Sequence, residues 1–171
     1  MSRTLFVGFD TSNYTTSAAV CDGSGRVICN SRILLPVREG ERGLRQSDAV
    51  FHHVRNLPQV LSDVREAVKG GTVLAVGCSV SPRRAEDSYM PCFLSGMAAA
   101  EAFAAALNLP VVRVSHQEGH IMAALYSAGA ERLLSGERFA AFHVSGGTTE
   151  VLSVTPQAGR FGVRIVGGSH E

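Results

Sequence analysis

The sequence predicts a mixed α/β fold, and three observations carry the prediction. The chain opens with strand-like runs joined by tight turns, and helical and short apolar segments then alternate. A segment near the C-terminal end also repeats the opening hairpin at an offset of 133 residues. In order, Thr4 to Asp10, Thr15 to Cys21 and Arg26 to Leu35 read as three antiparallel strands. Thr11-Ser12-Asn13 and Asp22-Gly23-Ser24-Gly25 supply the turns between them. Val50, Val54, Leu57, Leu61, Val64 and Val68 recur at spacings of four and three, which is one face of an amphipathic helix. Pro58 is expected to kink or split that helix, because its ring removes a backbone donor. Val73 to Val76 reads as a buried strand. Tyr89-Met90-Pro91 opens a helix running to about Leu107, stopped by Asn108 and Pro110, and Val111 to Val114 reads as another buried strand. A last helix is expected from about His116 to Ala128. A β-meander feeding βαβ units is the order of ribonuclease-H-like, actin-like folds, an analogy that the pattern of elements invites.

The internal echo sharpens it. Phe6 to Thr16 lines up with Phe139 to Thr149, the two phenylalanines, the serine and the paired threonines coinciding. Either two unrelated hairpins resemble each other, or the chain holds two duplicated lobes. On the second reading, residues 1–130 form a first actin-like lobe. Residues 138–171 open a second lobe, truncated at Glu171. Phe142, Val144, Val151, Val154, Val163, Ile165 and Val166 would then sit in a sheet short of its covering, open to a second copy of the chain.

Composition narrows the class. With 45% hydrophobic and 18% charged residues among 171, the chain has enough apolar matter for a core and does not read as disordered. A net charge of +1 announces no polybasic face. Arg38, Arg42, Arg45 and Arg55 form a loose cluster that reads either as a solvated face or as an RNA surface. Cys21, Cys29, Cys78 and Cys92 have neither C-x-x-C nor zinc-ribbon spacing. Cys21 and Cys29 read as buried free thiols, as in a reducing cytosol. No signal-peptide layout opens the chain, and the alanine-rich run from Met97 to Leu107 is too short to span a bilayer. A cytoplasmic protein with no membrane association is expected.

Two motifs bear chemistry. Phosphate binding needs backbone N–H groups and small hydroxyl residues at close range, where glycine removes the obstructing Cβ. Ser145-Gly146-Gly147-Thr148-Thr149 meets that need, as does Thr11-Ser12-Asn13 less fully, although either is also an ordinary turn. The second motif is Ser115-His116-Gln117-Glu118-Gly119-His120, directly after an apolar strand. Ser115 and Glu118 match a capping box, so a helix begins here. On it His116 and His120, four apart, project from one face as a pair suits a single metal ion. Glu118 does not stand where a zincin's general base stands.

These segments resemble a known family. Val114 to His120 is similar to its V-x-H-x-E-G-H segment, Phe142 to Glu150 to its L-V-S-G-G-H-T-E/Q segment, and Phe9-Asp10-Thr11-Ser12 to its opening I-E-T-S. The family is TsaD, formerly Gcp or O-sialoglycoprotein endopeptidase, and the likeness is nearer to its clostridial-type paralogues. The resemblance implies an actin-like fold in which His116 and His120, with a later aspartate, hold one divalent metal ion, iron or zinc. It implies that His143, Val144, Ser145, Gly146, Gly147 and Thr148, with Ser12, face ATP or threonylcarbamoyl-adenylate. The implied enzyme is an acyltransferase that moves threonylcarbamoyl onto the tRNA adenosine beside the anticodon, working with TsaB-like and TsaE-like partners. Departures accompany the likeness: Asn13-Tyr14-Thr15 stands where the family has C-D-E, and Val80 to Ser88, with Arg83 and Arg84, replaces a glycine-rich loop. Thr148 replaces a histidine. The rival readings are a non-catalytic TsaB-like scaffold and an actin-fold ATP-binding protein of other specificity. A fragment holding half a cleft is expected to be inactive alone.

Overall fold

The computed structural model describes residues 2–12, 14–37, 43–144 and 148–170, the last span without the side chains of Thr148 and His170. It divides into two compact units, Met1–His116 and Gln117–Glu171. The division falls at the start of the last helix, whereas the sequence suggests one near residue 130.

The first unit is a five-stranded sheet. Strands β1 (Arg3–Asp10), β2 (Thr15–Asp22) and β3 (Val27–Leu34) form an antiparallel meander. Helix α1 (Gln46–Ala67) leads to β4 (Gly71–Ser81), and helix α2 (Phe93–Leu107) leads to β5 (Val111–Ser115). β4 lies parallel to β1 and β5 parallel to β4, giving the order β3-β2-β1-β4-β5. A chain that leaves one strand and returns parallel to it must cross over, and α1 and α2 are those crossovers. They bury Leu5, Val7, Phe9, Ala18, Val20, Val76 and Cys78 beneath Val60, Val64, Ala100 and Ala104. Asn108, left-handed at φ 52°, ends α2 as the sequence anticipates. β5 is an edge strand with Val112 54% exposed, so Val111 to Val114 is a half-open strand, where the apolar run reads as a buried one.

Helix α1 differs from its sequence reading in two ways. It runs unbroken for 22 residues through Pro58. Pro58 lies on the exposed side, where water can take up the backbone bond its ring forfeits. The buried face is also turned, carrying Ala49, His53, Val60 and Val64, with Val54 57% exposed. The cause is polar: His53, fully buried, sets Nδ1 2.9 Å from Thr16 Oγ1, and Asn56 Nδ2 donates to the same oxygen at 3.2 Å. His53 Nε2 meets no hydrogen-bond partner among the described residues.

Burial pulls the His53 pKa down from 6.5 to about 4, the charge of Asp10 opposing and His52 adding to the fall. A base with a lowered folded pKa binds more protons when unfolded. Its stabilising share is therefore complete above pH 6.5 and is lost as pH falls toward 4. A loss of about 3 kcal/mol across that window is expected. Urea unfolding at successive pH values checks it, and a His53→Leu variant should show a flatter profile between the same limits.

The second unit is built on one antiparallel sheet, β6 (Phe139–Val144), β7 (Thr148–Gln157) and β8 (Arg160–His170), in the order β6-β7-β8. Helix α3 (His116–Ser127) begins at the unit boundary, and a 3-10 helix (Glu131–Ser135) follows it. Ile121 and Leu125 of α3 pack with Leu152 and Val154 of β7, both almost fully buried, joined by Leu133, Phe139 and Val163. The opposite face is open, with Phe142 73% and Val144 70% exposed. Bare covering is thus confined to one face, since Val154 and Val163 sit in the core.

The echo is present in the pairing itself. In β1–β2, Phe9 opposes Ala18 and Asp10 opposes Ser17; in β6–β7, Phe142 opposes Val151 and His143 opposes Glu150. Adding 133 to each first pair gives the second, so the two hairpins share one register. Phe139 to Val154 does not join the first sheet.

Candidate functional site

In the first unit the chemistry gathers on Asp10, the last residue of β1. Its Oδ1 accepts the Ser12 backbone N–H at 2.7 Å, fastening the turn that begins the hairpin. Its Oδ2 accepts from Ser79 Oγ at 2.6 Å and lies 2.8 Å from His116 Nδ1. β4 places Ser79 and the end of β5 places His116, so the parallel crossovers bring three distant segments to one carboxylate. Burial pushes the Asp10 carboxyl up. The hydrogen bond and charge of His116, with the Ser12 and Ser79 bonds, outweigh it and hold the group below the usual carboxylate range. An ionised carboxylate only accepts, so His116 Nδ1 carries the proton and, in the neutral ring, Nε2 carries the lone pair. Phe93 packs edge-on at 6.3 Å between ring centres and limits how the imidazole turns.

The turn beside Asp10 is anchored from below. Thr11, fully buried, donates Oγ1–H to the Cys92 carbonyl at 2.9 Å and accepts the Gly96 N–H at 2.9 Å. A Cβ at Gly96 would stand 2.7 Å from Thr11 Oγ1. Gly96→Ala is therefore expected to destabilise the protein by about 2 kcal/mol, despite alanine's better helix propensity. Thermal unfolding of the variant checks this.

In the second unit, β6 and β7 set His143 opposite Glu150. Glu150 is 4% exposed, its Oε2 3.3 Å from His143 Nδ1 and accepting from Gln117 Nε2 at 3.3 Å. A carboxylate this deep needs such partners. His120, one turn along α3 from the helix start, stacks at 5.8 Å between ring centres from His143. Gln117, His120 and His143 line a pocket of about 210 Å³ with Ile121, Phe139 and Leu152.

The residues named from sequence are thus distributed. His116 is held by Asp10, and His120 and His143 stand together. Val144 is exposed on the open face of its strand. The Ser12 N–H is given to Asp10 and not turned outward. Ser145, Gly146 and Gly147 lie outside the described residues, as do Arg38 and Arg42, and only the backbone of Thr148 is described, within β7. Arg83 and Arg84 are exposed. Asp10, Ser79 and Glu150 are not among the residues singled out from the sequence, although Asp10 stands in the Phe9 to Ser12 segment and Glu150 closes the Phe142 to Glu150 segment. Among the described residues no group of three or more His, Cys, Asp or Glu side chains gathers as a metal cage. Among the described residues no cysteine is in a disulfide; Cys21 and Cys29 are half-buried where the sequence suggests buried, and burial pushes the Cys78 thiol up to about 12. No helix among the described residues is long and apolar enough to cross a membrane.

Comparison with solved structures fixes the class. The chain matches YeaZ from Pseudomonas aeruginosa over 99% of its length and 66% of that chain, with TM-score 0.50 and 19% identity. It matches a ROK family glucokinase from Streptomyces griseus, solved with glucose and AMPPNP, over 94% of its length and 48% of that chain, with TM-score 0.51 and 19% identity. The fold is that of the actin-like ATPases. The sequence model of TsaD, the tRNA N6-adenosine threonylcarbamoyltransferase, matches residues 89–164. Proteins of that name match nearly the whole chain: 31% identity in Latilactobacillus sakei over 99% of the chain, and 33% in Syntrophobacter fumaroxidans over 89%. The chain thus resembles the TsaD family in sequence. It spans less than half the length of those relatives, 46% and 43%.

Proposed function

We propose that the chain supplies the metal-holding and nucleotide-facing part of a threonylcarbamoyl transferase acting on tRNA. The observation that carries the reading is His116, whose Nδ1 is engaged by an ionised carboxylate at 2.8 Å. Metal-ligating histidines typically give their second ring nitrogen to such a partner, which fixes the tautomer and aims Nε2 at the ion. One turn along the same helix stands His120, at the spacing that lets two imidazoles share an ion. Imidazole donors suit zinc or iron.

A metal held there would supply positive charge against a phosphate. Asp10 would fix the His116 ring, and Thr11 would hold the turn against α2. In the transfer, the exocyclic amine of the tRNA adenosine attacks the carbamoyl carbon of threonylcarbamoyl-adenylate. A C–N bond forms, the C–O bond to the adenylate breaks, and the adenylate departs with the electron pair while the amine releases a proton. Homologues of this name support the transferase class, and TsaB-like and TsaE-like partners belong to the same proposal.

Zinc titration of the purified chain by calorimetry tests the reading. About one ion per chain is expected, with His116→Ala and His120→Ala each weakening uptake by tenfold or more. A wild-type chain that takes up no metal contradicts it.

A further inference from the structure

We infer that one water molecule is bound inside the first unit, between α1 and α2, held by His53 Nε2 and Ser95 Oγ. These two are buried side-chain atoms that meet no hydrogen-bond partner among the described residues. His53 is 0% exposed and Ser95 6%. A buried polar atom left unmatched is costly, and ordered water is the usual remedy where two or more such atoms converge.

The helices bring the two atoms to one level. Gln46 Oε1 accepts the Cys92 backbone N–H at 3.2 Å, and Ala49 packs with Cys92 and Phe93. His53 stands one turn beyond Ala49 along α1, and Ser95 three residues beyond Cys92 along α2. Beneath them the hairpin presents Thr16 and Thr11, both fully buried, Thr16 meeting His53 and Thr11 meeting Gly96. Side-chain direction turns by about 100° per helical residue, so Ser95 lies to one side of the sheet-facing Gly96. Glu101, to the other side, reaches Arg113 of β5. Ser95 is therefore on the flank of α2 that faces α1. On α1, Asp63 accepts from Ser31 of β3 at 2.6 Å, which marks the flank away from α2. His53 lies across the buried stripe of Ala49 and Val60 from it, toward α2.

The donor and acceptor roles also fit. Thr16 Oγ1 accepts from Asn56 Nδ2 at 3.2 Å, and giving its own proton to His53 Nδ1 at 2.9 Å uses both functions of the hydroxyl. The neutral ring then carries its proton on Nε2, a donor for the water oxygen. The Ser95 hydroxyl completes the bridge, taking a proton from the water or giving its own. The polar layer over the hairpin thus joins both crossover helices to β1 and β2.

A crystal structure of the wild-type chain, at a resolution that shows ordered water, tests this without a variant. One water at about 2.7–3.2 Å from both His53 Nε2 and Ser95 Oγ is expected. A water on only one of the atoms, a direct hydrogen bond between them, or no water on either overturns the inference. In solution, oxygen-17 relaxation dispersion counts long-lived waters and is blind to hydroxyl proton exchange. A His53→Leu variant with unchanged circular dichroism should hold one fewer such water than wild type, and an equal count overturns the inference.

Discussion

Asp10→Ala is expected to lower the unfolding free energy of the first unit by about 3 kcal/mol near neutral pH. The substitution strands the Ser12 N–H, the Ser79 hydroxyl and the His116 Nδ1–H, all of which converge on one carboxylate. An unpartnered buried donor costs about 1–3 kcal/mol, and partial access to water keeps the total below the sum of three. Asp10→Asn should recover part of the loss, since its Oδ1 still accepts. The sign with pH follows from the lowered carboxyl: its contribution is present above the unfolded value of 3.8 and is lost as pH falls below it. His53 is lost between pH 6.5 and about 4, so the two groups separate along the pH axis. Guanidinium unfolding of both variants from pH 3 to 8 reads both contributions.

Leu152→Ala should cost about 3 kcal/mol and act on the second unit alone. Leu152 is 1% exposed and packs among Ile121, Leu125, Val154 and Leu133. Removing its branched end leaves a cavity that a sheet with one bare face cannot close cheaply. Amide exchange resolves the effect by unit: β6, β7 and β8 should exchange faster in the variant, and β1 and β2 at the wild-type rate. Acceleration spread evenly over both sheets would show that the units unfold together.

The fold was largely legible because periodicity reports it. Tight turns bounded the meander, and the recurrence of Val50, Val54, Leu57, Leu61, Val64 and Val68 announced a helix, though not which face it buries. Even the shared register of the two hairpins lies in the matched Phe9 and Phe142. What stayed hidden turned on polar side chains whose partners are remote in sequence. His53 rotates α1 because Thr16 awaits it 37 residues away. Asp10 looks like the end of an apolar run until parallel pairing delivers Ser79 and His116 to it. The helical spacing of His116 and His120 shows in the sequence, whereas the burial of Glu150, which closes the Phe142 to Glu150 segment, does not, because it is made by the strand that sets it behind His143. Windowed patterns see neighbours along the chain, and these contacts are made across the sheet.

Anomalous diffraction at the zinc edge, from crystals of the zinc-loaded chain, tests the central claim most directly. The account predicts one ion with imidazole nitrogens of His116 and His120 at about 2.0–2.1 Å. An ion held instead by cysteine sulfur, or lying away from both histidines, would contradict it.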